Sequence, residues 1–175
     1  MKNGFCASVR THSHRGGTPC GFTLVEMMVA IALMGILLAF ALPNFNSLIE
    51  KYRVERMASA LMASVSHARA EAARRAETVI IRQRAECSGA DWSCGWDTVV
   101  GSGTTAETLS RQDPDSRVAV GKSASGTMSF DAMGHSASVA GFRFYPAGNG
   151  NSSNVAVVCV ALGGRIRLLK GRSSC

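Results

Sequence analysis

Acidic residues are missing from both ends of this chain. All 12 of its aspartates and glutamates fall between Glu26 and Asp131, so neither the first 21 residues nor the tail after Asp131 can neutralise its own basic side chains. Also missing are the patterns that mark catalytic sites. There is no nucleophile elbow, no glycine loop of the kind that cradles phosphates and no metal-ligand spacing, and Ser, His and Asp are scattered through polar stretches. These absences argue against an enzyme, and no catalytic residue, cofactor or metal is expected. His67, in an amphipathic stretch, and His135, after a glycine, are read as surface or packing residues. No internal repeat is found.

What is present is basic charge at each terminus. Residues 1–21 hold Lys2, Arg10 and Arg15, and their removal would take the formal charge from +7 to +4. Acids prevail from Glu86 to Asp131. The tail beyond holds Arg143, Arg165, Arg167, Lys170 and Arg172 with no counter-charge, an asymmetry that suggests an anionic partner at one end.

From Phe22 to Leu42 the chain is apolar with Glu26 as its only charge, a length that suits a bilayer. A carboxylate near the start of such a helix costs about 2.5–3.5 kcal/mol on insertion scales, so something must neutralise Glu26. A secretory signal peptide would place its cleavage site after the apolar run, whereas here the small residue precedes it. A lipoprotein signal at Cys20 would need an apolar segment before it, and residues 11–19 are polar and basic. A plain membrane anchor would leave Glu26 unexplained.

The segment Gly21-Phe22-Thr23-Leu24-Val25-Glu26, with the apolar run behind it, resembles the class III signal of type IV prepilins and type II secretion pseudopilins. That resemblance implies a leader, residues 1–21, cut after Gly21 by a prepilin peptidase that then methylates Phe22. It implies that Glu26 pairs with the N-terminal amine of a neighbouring subunit during assembly. By the same resemblance the chain would be a single-pass inner-membrane protein with a periplasmic domain until it joins other pilin subunits in a pilus at the cell surface. The basic leader fits the positive-inside orientation.

Beyond Pro43, which should kink or loosen the helix, apolar residues recur mostly at three- and four-residue steps: Leu48, Ile49, Tyr52, Met57, Leu61, Val65, Ala68 and Ala72. One helix is expected over 22–77, with 22–42 in the membrane or filament core and an amphipathic second half. Residues 78–175 read as short strands at 79–81, 95–100, 117–120, 127–130, 141–145, 155–162 and 165–169, separated by Gly, Ser, Asn and Asp. Loops are expected at 101–105 and 147–153. The fold class is therefore α+β: a long N-terminal helix packed on a small antiparallel sheet domain, similar to type IV pilins.

Cys6 and Cys20 lie in the leader, leaving Cys87, Cys94, Cys159 and Cys175 for an oxidising compartment, where an even number suggests two disulfides. Three pairings exist. Cys87 with Cys94 would close a short loop and Cys159 with Cys175 would pin the C-terminus; a zinc site is the alternative, though Cys-x6-Cys is not a usual ligand spacing.

The runs on either side of Gly163-Gly164 suggest a hairpin with a two-residue turn. Arg165 and Arg167 follow at alternate positions and would share one face, with Ile166 and Leu168 turned toward the core. Here Gly164-Arg165-Ile166-Arg167 resembles the Gly-Arg-x-Arg pattern of FimT-type minor pilins, in the family shared with secretion pseudopilin H. In those proteins the pattern is implicated in binding DNA during natural transformation, which by resemblance assigns that role to Gly164, Arg165 and Arg167, with Lys170, Arg172 and Arg143 widening the patch. The partner would be double-stranded DNA, held by guanidinium–phosphate contacts. The competing readings are a secretion pseudopilin, a structural pilus-priming subunit, and an edge strand using basic residues only against aggregation.

Overall fold

The computed structural model describes residues 22–175 except 102, 104, 105, 124 and 125, without the side chains of 40–44. It divides into two compact units, one ending at Ala41 and the other comprising Leu42–Cys175. A single helix, α1 (Leu24–Arg75), contributes to both and keeps helical backbone through Pro43.

In the first unit the helix begins at an N-cap. The Thr23 hydroxyl accepts the backbone N–H of Glu26 at 3.2 Å, satisfying one of the donors a helix start leaves free. The helix then presents apolar side chains on every face: Leu24, Met28, Ile31, Met34 and Leu37 are each more than 60% exposed within the chain. A helix apolar all round needs a lipid or protein environment. No helix among the described residues is long and apolar enough to cross a membrane. The described side chains of the expected span stop at Ala39.

The second unit carries the hydrophobic core. Val54, Met57, Leu61, Val65, Ala68 and Ala72 form one buried stripe of α1, spaced three or four residues apart as a single helical face requires. The helix stops at Arg75 because Ala76 turns left-handed (φ 54°) and the Glu77 N–H returns to the Ala72 carbonyl at 3.3 Å, a Schellman-type close.

Eight strands follow among the described residues: β1 (Val79–Gln83), β2 (Trp96–Val100), β3 (Glu107–Gln112), β4 (Val118–Lys122), β5 (Met128–Phe130), β6 (Ala140–Pro146), β7 (Ala156–Val160) and β8 (Ile166–Lys170). They form two four-stranded sheets, ordered β3-β2-β1-β5 and β4-β6-β7-β8, antiparallel throughout. Both sheets give residues to one core around the helix stripe: Val79, Ile81, Trp96 and Phe130 from the first, Val120, Phe142, Phe144 and Val158 from the second. Trp92 meets Phe142 edge to face at 4.9 Å, and Trp96 donates its indole N–H to Ser64 on the helix at 2.9 Å. Every core residue lies at or beyond Val54, so the second unit holds what it needs to fold without the first 41 residues.

Two details depart from the sequence reading. β3 was not anticipated, because Glu-Thr-Leu-Ser-Arg-Gln has no apolar alternation; it is an edge strand with Leu109 its only contribution to core packing. The expected two-residue turn is instead a three-residue loop, described below.

Candidate nucleic-acid interface

β7 and β8 pair in register from Ala156↔Lys170 to Val160↔Ile166. Beyond that pair the Ala161 N–H donates to the Arg165 carbonyl at 3.0 Å, and the Gly164 N–H donates to the Ala161 carbonyl at 2.8 Å. Leu162, Gly163 and Gly164 thus form a three-residue loop with Gly164 alone left-handed (φ 71°), the arrangement in which a type I turn ends on a glycine. Only glycine fits there for a second reason: a Cβ at Gly164 would run into the Gly134 carbonyl oxygen and lie 2.7 Å from Arg69 Nε.

Gly134 belongs to a turn built by Asp131. The Asp131 carboxylate accepts the backbone N–H of His135 at 2.8 Å and of Met133 at 2.9 Å. Those two hydrogen bonds, that of His135 first, hold its carboxyl below the ordinary aspartate range. Arg69 on the helix then joins both loops: its Nε donates to the Gly134 carbonyl at 2.9 Å and its Nη1 to the Gly164 carbonyl at 2.8 Å.

From this anchor β8 runs back along the helix. Lys170 reaches Glu55 at 2.7 Å, and the 14 residues from Arg69 to Glu55 cover about 21 Å of helix. The six residues from Gly164 to Lys170 cover about the same distance as strand. Alternation sorts the side chains. Ile166 and Leu168 pack on the core, and Lys170 shares their side, where it finds Glu55; Arg165 and Arg167 are exposed on the other side. Arg167 stands opposite Cys159, which is bonded to Cys175 across a Cα separation of 5.8 Å. The disulfide turns the last five residues back over the outer face of the second sheet, with exposed Arg172 among them.

The six expected residues of the patch therefore separate. Arg165, Arg167 and Arg172 have no carboxylate partner among the described residues. Gly164 supplies the bend. Lys170 is paired with Glu55, on the side of β8 away from Arg165 and Arg167. Arg143 projects from the outer face of β6, but its guanidinium donates to the Gly150 carbonyl and lies 4.9 Å from the Tyr145 ring centroid. Arg69 was missed as a site residue; it looked like one more surface cation on an amphipathic helix, and only the approach of two distant loops distinguishes it.

The remaining expected residues lie elsewhere. Cys87 and Cys94 are bonded, with Cα atoms 5.7 Å apart, in the β1–β2 connection. Phe22 precedes α1, Glu26 lies in its first turn, and Gly21 lies outside the described residues.

Residues 57–164 match the family described as type II transport protein GspH, and residues 19–42 match the prokaryotic N-terminal methylation motif. The chain is 46% identical over 43 residues to the type IV major alpha-pilin of Moraxella bovis, and 50% identical over 34 residues to the type IV major fimbrial protein FimA of Dichelobacter nodosus. These matches cover 25% and 19% of this chain and 27% and 21% of those proteins, so the chain spans about a quarter of the length of these relatives. The fold is similar to that of the type IV minor pilin FimU of Pseudomonas aeruginosa, with a TM-score of 0.59 at 23% identity over 72% of this chain and 95% of that one. It is also similar to the minor pseudopilin EpsH of the Vibrio cholerae type 2 secretion system, with a TM-score of 0.54 at 9% identity over 67% and 96%. At these identities the likeness is one of fold.

Proposed function

The chain belongs to the family of the type II transport protein GspH, and on that premise we propose that it is a minor pilin of a type IV pilus that binds extracellular double-stranded DNA for uptake. The observation that carries the DNA reading is the group Arg165, Arg167 and Arg172: exposed, on a strand and a disulfide-held tail, and without carboxylate partners among the described residues. Phosphate oxygens are the complement of such a surface, and arginines on a rigid hairpin avoid the entropy cost of ordering a loose tail. The reading takes these contacts as ones to phosphates, which carry no sequence information, so binding is expected to be independent of sequence.

Titration of the 42–175 unit with duplex DNA tests this. If each of the three arginines neutralises one phosphate, the slope of log affinity against log salt is about −2.7, and binding weakens about 40-fold between 50 and 200 mM salt. Arg165→Gln with Arg167→Gln should bring the slope to about −0.9 and lower affinity ~60-fold near 0.1 M salt, alike for unrelated duplexes. A double variant that binds as the wild type does would remove the assignment.

The first unit serves assembly in this reading. Residues 22–42 hold the protein in the inner membrane, before and after a prepilin peptidase cuts at Gly21 and methylates Phe22, until Glu26 pairs with the amine of a neighbouring pilin and the subunit joins the pilus. The exposed apolar faces of α1 support it, since they need lipid or other subunits around them. Glu26→Ala should reduce incorporation into filaments while leaving the 42–175 unit folded; normal incorporation would exclude the pairing. A second reading, a subunit of a type II secretion pseudopilus, draws on the family match and on the likeness to EpsH. Such a subunit has no need of DNA, so a wild type that fails to bind duplex at low salt would favour it.

A further inference from the structure

We propose that Arg69, a helix residue remote in sequence from the basic strand, positions Arg165 for its phosphate contact. The inference rests on the DNA-binding reading above. Its basis is the meeting of three backbones at one guanidinium. Nε donates to the Gly134 carbonyl at 2.9 Å and Nη1 to the Gly164 carbonyl at 2.8 Å. Both glycines are buried and left-handed (φ 76° and 71°); a Cβ on Gly164 would press on Arg69, 2.7 Å from Nε, and one on Gly134 would touch it at 3.4 Å. The loops are thus shaped around this side chain.

The Gly164 carbonyl is half of the peptide that joins Gly164 to Arg165. Because that peptide is planar, fixing its oxygen also fixes the direction of the Arg165 N–Cα bond, and so where the guanidinium leaves the loop. Two carbonyls from different loops are met here by two separate nitrogens of the planar fork, whereas an ammonium would have to reach both from one atom on a different stem. Arg69 has no carboxylate partner among the described residues, so its charge also stays uncompensated one peptide away from Arg165. The loop can therefore be held and kept positive by the same group. Asp131 supports it from behind by building the turn that offers Gly134.

The test uses the full chain in nonionic detergent micelles with a mixed-sequence DNA duplex. Arg69→Lys keeps the net charge and removes the fork. It should weaken binding about 3- to 10-fold near 0.1 M salt with the salt slope unchanged, because the number of phosphate contacts is unchanged. Placed on Arg165→Gln, it should change affinity by less than about 2-fold, the non-additivity expected when one residue acts through the other. Hydrogen exchange should quicken at the Gly164 and Ser136 amides, which donate within these loops to Ala161 and Leu162.

Wild-type affinity in Arg69→Lys overturns the proposal. So does a full effect in the Arg165→Gln background, or, in Arg69→Gln, which discards the charge, a slope shallower by about 0.9, which would make Arg69 a phosphate contact in its own right. A wild type that binds no DNA defeats the reading on which the proposal rests; the exchange measurement still decides whether Arg69 holds the loop, and unchanged exchange refutes that. If Arg69→Lys folds poorly, Arg69→Gln, with one amide donor, takes its place in the exchange comparison.

Discussion

Most arginines between residues 53 and 111, Arg69 and Arg82 excepted, and the arginines after residue 164 live in opposite circumstances. In the first group Arg53 and Arg56 share Asp115, Arg74 and Arg75 share Glu71, Arg75 also reaches Glu107 at 2.7 Å, Arg84 meets Asp113 at 3.1 Å and Arg111 meets Asp97 at 2.9 Å. These pairs fasten the helix end to β3 and β3 to β2. Glu71 shows how firmly the carboxylates are held: hydrogen bonds from Arg74 and then Arg75 bring its pKa to about 2. In the second group Arg165, Arg167 and Arg172 have no carboxylate partner among the described residues: no acid follows Asp131 in the sequence, and Glu55, on the helix facing β8, is occupied by Lys170. The same side chain thus serves architecture where acids are interleaved and stays without a carboxylate partner where they are absent. The neutralising charge of the second group has to come from solution, as small ions or as a polyanion that releases them.

The largest effect that would sharpen this contrast is loss of the tail's anchor. Cys159 and Cys175 are 16 residues apart in sequence. A closed loop of that size stabilises by about 3 kcal/mol in chain-entropy terms, so Cys159→Ser with Cys175→Ser should lower the unfolding free energy by that order in a urea titration. Freed with the tail, Arg172 should drop out of the DNA contact and the salt slope should fall to about −1.8. An unchanged slope would mean that Arg172 belongs to neither group. The next effect runs the other way. Glu55→Gln removes the partner of Lys170, which should steepen the slope by about 0.9 and tighten binding ~8-fold near 0.1 M salt. If affinity does not rise, a carboxylate is not what separates Lys170 from the arginines, and its position on the helix-facing side of β8 is.

Much of this contrast was legible from residue order, because it depends on where acids stop. The apolar run, the amphipathic stripe from Met57 to Ala72, most strands and the basic hairpin follow from period and turn residues, and both disulfides join cysteines that had been paired by loop size and terminus. What order does not carry is the partner of a long side chain. Arg69 and Lys170 look interchangeable with their neighbours until the fold places two carbonyls beside one and Glu55 beside the other. β3 escaped for a related reason, since an edge strand owes its hydrogen bonds to β2 and little to its own side chains. The hairpin turn was misjudged because two adjacent glycines permit a two-residue turn, while only Gly164 adopts a positive φ, under the constraint of Gly134 and Arg69.

The smallest expected effect concerns Asp131, the last acid before the unpaired arginines. Its folded pKa is depressed, chiefly by the His135 backbone N–H, with that of Met133 and the charge of His135 adding to it. A carboxylate so depressed contributes stability that is complete above the unfolded aspartate value of about 3.9, declines as pH falls below it, and is gone once pH passes below the folded pKa. The group is solvent-exposed, so the contribution is modest. Asp131→Asn keeps an oxygen that can accept both backbone N–H groups and discards the charge. Thermal melts of the wild type and this variant should therefore differ at pH 5 and converge as pH falls through the acid range, with Glu71 and Glu107, also depressed, titrating identically in both. Faster exchange at the Met133 and His135 amides should appear in the wild type over the same interval. If the two proteins melt alike at pH 5, the charge on Asp131 does not hold the turn, and the Gly134 carbonyl reaches Arg69 by the geometry of the chain alone.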